Sequence, residues 1–192
     1  MPSDPDAGLL QPVWAGTEAA AACGDRAWLR ALLDAEAGLV RAQARLGTVP
    51  PEAARAITTV AEALDVDLAG LAVRARGGGN PVIPLVAELR RAAPPGLAEY
   101  VHRGATSQDI MDTAAMLVAA RTRTVILRHL DGVLAALAGL AAAHRDNPMA
   151  GRTLGQQAVP TTFGLKAAGW LVACAQTRSR LAGLPLPAQL GG

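Results

Sequence analysis

Val101-His102-Arg103-Gly104-Ala105-Thr106-Ser107-Gln108-Asp109-Ile110-Met111-Asp112-Thr113 opens the longest helical pattern of the chain. From about Ser107 to His144 there is no proline and little glycine. At about 1.5 Å per residue that run makes a helix of roughly 55 Å. Its later half places Ile126, Leu130, Val133, Leu134, Leu137, Leu140 and Ala141 at helical spacing. Between Val133 and Ala143 it is apolar nearly all round, so it needs neighbours on several sides, inside a bundle or at a subunit interface. The expected fold class is all-α.

Upstream the same period recurs in shorter pieces. Residues 1–24 read as a loose arm with one short helix, and Trp14 as its anchor to a core. Asp25 reads as the cap of a helix that Gly47 stops. Thr48, followed by Pro50 and Pro51, opens a second helix to about Leu64, and a shorter one runs from Asp67 to Arg76. Gly77-Gly78-Gly79 breaks the pattern without the ending of a phosphate-binding loop. Asn80 then caps a helix to about Ala92, which Pro94-Pro95-Gly96 ends. Downstream, Asp146-Asn147-Pro148 breaks the long helix, and a polar loop, Met149 to Pro160, connects to a last helix. That helix is capped by Thr161 or Thr162 and runs from Phe163 to about Leu184.

The bulk numbers agree with closely packed helices. The 192 residues are 51% hydrophobic and only 3% aromatic. A net charge of +2 with scattered arginines points away from nucleic acid. Cys23 and Cys174 have no metal-site or redox spacing and read as small core residues. The run Val133–Ala143 is too short to cross a bilayer, and the N-terminus has no secretory pattern. A soluble, cytoplasmic protein with no nucleic-acid or membrane partner is the expectation.

Chemistry concentrates in the two polar stretches that precede the long helices. Thr106-Ser107-Gln108-Asp109 fits a capping box, with Asp109 reaching back to the cap, and this alone accounts for Thr106 and Asp109. It leaves His102, Arg103 and Gly104 unexplained. Free N–H groups at a helix start, beside hydroxyls and an arginine, suit a carboxylate or phosphate. Histidine is the side chain suited to moving a proton near neutral pH. The second stretch repeats the design with Arg152, Thr153, Gln156 and Gln157, and Lys166 one turn into the next helix. Two such stretches suggest a small substrate with more than one carboxylate. Read locally, both are also compatible with plain helix–helix connections.

The strings His102-Arg103-Gly104-Ala105-Thr106-Ser107-Gln108-Asp109 and Gly151-Arg152-Thr153 through Pro160-Thr161-Thr162-Phe163-Gly164 resemble the first two signature regions of the fumarase/aspartase superfamily. Asn80-Pro81-Val82-Ile83-Pro84-Leu85-Val86 and the helix around Leu33-Asp34-Ala35-Glu36 resemble its N-terminal domain. The resemblance runs from about residue 8 to 192. It implies an N-terminal helical domain over 1–106, followed over 107–192 by the first long helices of a central bundle that is here incomplete.

Leu154 stands where the lyase branches usually carry a histidine, and an apolar residue there is similar to the 3-carboxy-cis,cis-muconate cycloisomerase branch. That likeness implies lactonisation of 3-carboxy-cis,cis-muconate in the protocatechuate arm of the β-ketoadipate pathway, with no metal and no organic cofactor. It also implies His102 as the catalytic residue. Arg103, Thr106, Ser107, Arg152, Thr153 and Gln156 are the implied substrate-binding residues, and a homotetramer the implied assembly. The family's third signature, a serine-rich loop, is not in this sequence, so little turnover is expected of these 192 residues alone. Two rivals stay open: a lyase such as adenylosuccinate lyase, which releases fumarate, and a helical oligomerisation module without catalysis.

Overall fold

A computed structural model describes residues 9–192. Seven α-helices and one two-stranded hairpin follow in chain order among the described residues. They are α1 (Glu18–Cys23), α2 (Asp25–Arg45), α3 (Pro51–Ala63), α4 (Leu68–Ala75), α5 (Val82–Ala92), α6 (Ser107–Ala143), β1 (Pro148–Thr153), β2 (Gln156–Thr162) and α7 (Phe163–Ala182). The fold is all-α apart from the hairpin. Two compact units divide it: residues up to Arg121 together with Leu186–Gly192, and Thr122–Pro185.

The first unit is built on α2. Leu29, Leu32, Leu33, Glu36 and Val40 recur at helical spacing and are all buried. Asp25 in the first turn and Arg45 in the last both favour the helix dipole. The cap itself is Gly24, not Asp25, which is the first helical residue. The helix ends in a Schellman arrangement: Gly47 N–H donates to Ala44 O and Thr48 N–H to Gln43 O, with Gly47 at φ 73°. Thr48 thus closes α2, and Pro50 takes the cap of α3. Arg30 of α2 donates to Ala61 O at 3.0 Å, satisfying a carbonyl at the end of α3. Ile57, Leu85, Leu89 and Val101 complete the core, each 1% exposed or less. As expected from its side chain, Asn80 caps α5, its Oδ1 accepting Val82 N–H at 2.8 Å.

Several expectations fail at the periphery. Trp14 anchors nothing: it is 53% exposed and its indole donates to Gln11. Cys23 is exposed and Cys174 half-buried, because α1 and the outer face of α7 bury little. The connection after α6 is not a loop. Pro148–Thr153 and Gln156–Thr162 pair antiparallel, joined by the two residues Leu154 and Gly155. Gly155 sits at φ 72°, a conformation that suits glycine at the second central position of a tight turn.

The second unit comprises the later part of α6, the hairpin and α7. Arg178 forks onto Asp131 through Nε at 2.5 Å and Nη2 at 3.2 Å. Ile126, Val133 and Leu140 stay well exposed along α6. By length and composition alone α6 could also cross a bilayer, because its apolar stretch extends beyond Val133–Ala143.

Candidate functional site

The first polar stretch is a turn clamped from two sides. Val101 is 1% exposed, and its carbonyl accepts from Arg90 of α5 at 3.1 Å. Two residues on, the Arg103 carbonyl accepts from Gln43 of α2 at 2.6 Å. Between these fixed points lies His102, at φ 59°, the sole non-glycine residue with positive φ among the described residues. Holding an L-residue there costs about 1–3 kcal/mol. A hydrogen bond to a charged group contributes about 1.5–3 kcal/mol, enough to offset that strain. His102 has such a partner: its Nδ1 lies 2.6 Å from Oε1 of Glu36. Glu36 is 2% exposed, the deepest carboxylate of α2. It went unremarked as a site residue in the sequence, although its spacing from Leu32, Leu33 and Val40 placed a charge on the apolar face.

Gly104, at φ 72°, then turns the chain into α6. Half of the expected capping box is formed. Thr106 N–H donates to Asp109 Oδ2 at 2.9 Å, while Asp109 N–H goes to the Thr106 carbonyl rather than its hydroxyl. The Thr106 side chain is exposed and Ser107 half-buried. Arg103 lies exposed with its guanidinium 5.5 Å over the Tyr100 ring.

The Asp109 carboxylate is buried, and its other oxygen accepts Gly192 N–H at 2.8 Å. The Thr106 N–H first and the Gly192 N–H second hold its carboxyl below the usual range, outweighing burial, which pushes the other way. A depressed folded-state pKa means stability that is present above the ordinary carboxylate value and lost as pH falls through the folded value. Asp109→Asn should therefore lower the thermal midpoint at pH 6, and its deficit against the wild type should shrink from about pH 4 downward. Melting curves of both proteins between pH 6 and pH 2 test this, and a deficit that stays constant across the range would contradict it.

The second stretch is the hairpin of the other unit. Thr153 and Gln156 face each other across the strands beside the turn, and Arg152 pairs with Gln157. All three candidates are exposed. Arg152 lines a cleft of about 280 Å³ together with Thr161, Leu165, Lys166 and residues 149–151. Lys166, expected beside the second stretch, has its ammonium 5.4 Å over the Trp170 ring. Among the described residues neither Arg152 nor Lys166 pairs with a carboxylate, so the cleft is positively charged. Thr162 caps α7, accepting Leu165 N–H at 3.1 Å. Thr153 and Gln156 do not line the cleft. Leu154, at the turn, is 98% exposed. The structure thus groups His102, Arg103, Thr106 and Ser107 in one unit and Arg152, Thr153 and Gln156 in the other. No group of three or more His, Cys, Asp or Glu residues that could hold a metal ion occurs among the described residues.

In the first unit an imidazole held by a buried carboxylate precedes hydroxyls at a helix start, which suits transfer of a proton and binding of a carboxylate. In the second unit the cationic cleft suits an anion.

Comparison with known proteins bears on what this equipment serves. Residues 17–188 match the family described as Lyase. The chain is 55% identical over 192 residues to a nitrosuccinate lyase of Streptomyces davaonensis, covering 97% of this chain and 40% of the relative. It is 41% identical over 190 residues to a 3-carboxy-cis,cis-muconate cycloisomerase of Bradyrhizobium diazoefficiens, covering 96% and 42%. Among solved structures, the β-carboxy-cis,cis-muconate cycloisomerase of Acinetobacter calcoaceticus superposes with a TM-score of 0.86 at 34% identity, over 91% of this chain and 42% of that one. The chain therefore spans about two fifths of the length of these relatives.

Proposed function

The chain belongs to the fumarase/aspartase superfamily of lyases, and from that premise we propose that it forms part of an enzyme that eliminates nitrite from nitrosuccinate. The observation that carries this reading is the 55% identity to a nitrosuccinate lyase along almost the whole chain, against 41% to a cycloisomerase. In such an elimination a base removes a proton from the carbon beside the one bearing the nitro group. The C–H electron pair becomes the new C=C bond. The C–N bond breaks and its electron pair leaves with nitrite, so the products are fumarate, nitrite and the transferred proton.

Leu154 is compatible with this lyase. Nitrite is stable as an anion at neutral pH and needs no proton to depart, whereas an amine leaving group does. An apolar side chain at that position therefore weighs against adenylosuccinate-type elimination and not against loss of nitrite. In the first stretch His102 is the group suited to moving a proton, and Arg103, Thr106 and Ser107 hold one carboxylate. In the other unit Arg152, Thr153 and Gln156 offer donors that suit a carboxylate of their own. As the proton leaves, charge builds on the adjacent carboxylate, and fixed donors there lower the barrier. The exposed apolar side chains of α6 and α7, such as Val133, Leu140 and Val172, suit packing against further helices in a homo-oligomer.

A second reading is lactonisation of 3-carboxy-cis,cis-muconate. It is favoured by the 0.86 TM-score and by Leu154, since lactonisation expels no leaving group. The deciding assay gives the complete gene product that carries this sequence each substrate in turn. Nitrite and fumarate should appear in equal amounts from nitrosuccinate. Lactone from carboxymuconate without nitrite release would replace the first reading by the second, and silence on both would end both.

A further inference from the structure

We propose that Glu36 is a positioning residue that locks His102 in the tautomer carrying its proton on Nδ1, leaving Nε2 as the ring nitrogen open to a ligand. The geometry is direct. Glu36 Oε1 and His102 Nδ1 are 2.6 Å apart, with side-chain exposures of 1% and 15%. No other side chain is bonded to this carboxylate among the described residues. An ionised carboxylate can only accept, so the shared proton belongs to Nδ1. Neutral imidazole has one N–H, and fixing it on Nδ1 makes Nε2 an acceptor. A flip of the ring would turn Cδ2 toward Glu36 and forfeit the Nδ1 bond, while the turn beneath it is held by the anchored carbonyls of Val101 and Arg103 on either side.

The sequence prepares this arrangement. Glu36 takes an apolar-face position of α2 where leucine or alanine would pack, and Gln43, two turns later on the same helix, clamps the residue after His102. One helix thus holds the ring and one side of the turn that carries it. The tautomer itself follows from this geometry alone; that it prepares Nε2 to take a substrate proton rests on the elimination reading above.

Side-chain 15N–1H correlation spectra of the whole chain, at a pH where imidazole is neutral, read the tautomer without any turnover. His129→Gln and His144→Gln variants assign the other two histidines. The expected wild-type result for His102 is a protonated Nδ1 and an unprotonated Nε2. Glu36→Gln, whose amide can donate as well as accept, should release the lock and give a mixture of tautomers or the reverse one. A protonated Nε2 in the wild type, which would place the shared proton on Glu36, overturns the proposal. So does a Glu36→Gln protein in which His102 keeps Nδ1–H alone. Should Glu36→Gln fail to fold, the wild-type spectrum decides by itself. Absence of nitrite release from the complete gene product would sink the elimination reading while leaving this assignment standing.

Discussion

Gly164→Ala should destabilise the second unit by about 3 kcal/mol, the upper end of what overpacking usually costs. A Cβ on Gly164 would stand 2.6 Å from Arg145 Cα, 2.6 Å from the His144 carbonyl oxygen and 2.7 Å from the Ala141 oxygen. All three are backbone atoms in the last turn of α6 or just after it, so no rotamer change relieves them. Gly164 N–H also donates to His144 O at 2.9 Å, and the added methyl would lever that bond apart. Helix propensity pushes the other way, since alanine is better than glycine inside a helix by about 1 kcal/mol. The clash is the larger effect. Gly169, in the same helix, has nothing within 4 Å of its built Cβ. Gly169→Ala should therefore stabilise by about 0.5–1 kcal/mol. Thermal or urea unfolding of the two variants should move the midpoint in opposite directions, and a Gly164→Ala protein as stable as the parent would refute the close-packing argument.

The second large effect concerns catalysis. In the complete gene product, His102→Ala should lower kcat for nitrite release by about 10²–10⁴-fold, the range associated with losing a positioned acid or base. Alanine at φ 59° also inherits the backbone strain that the Glu36 bond now offsets. His102→Gly removes the imidazole with a residue at ease in that conformation. If the two variants lose activity alike while glycine restores stability, the loss belongs to the ring. A fall of less than about tenfold in both would take His102 out of the chemistry. Steady-state nitrite release beside circular-dichroism melts provides both readouts.

Legibility in the sequence tracked how each element is stabilised. The limits of α5 and α6 could be read because prolines, glycines and Asn80 stop and start helices by local rules. The hairpin could not, because most residues of both strands are exposed and β2 lacks the alternation that marks a half-buried strand. Thr153, Val159, Thr161 and Thr162 were its sole hints. At the site, Thr106 and Asp109 were legible as a cap because they lie three residues apart. The pairing of His102 with Glu36 spans 66 residues and that of Asp109 with Gly192 spans 83, which no local pattern encodes. Glu36 alone left a trace, a charge on an apolar face. Leu154 has no proton to transfer, which its identity alone makes plain. What it excludes depends on whether the leaving group needs one, and that is a property of the substrate.

The first unit is discontinuous: Leu186–Gly192 return to it after the whole of Thr122–Pro185. Gln189 exchanges hydrogen bonds with Thr113, and Gly192 N–H reaches Asp109. A ribosome adds about 5–20 residues per second, so the 83 residues between Asp109 and Gly192 take roughly 4–17 s to make. Through that interval a nascent chain can form the local bond from Thr106 N–H to Asp109 but not the one from Gly192. The carboxylate at the head of α6 therefore acquires its second donor only after the hairpin and α7 have been made.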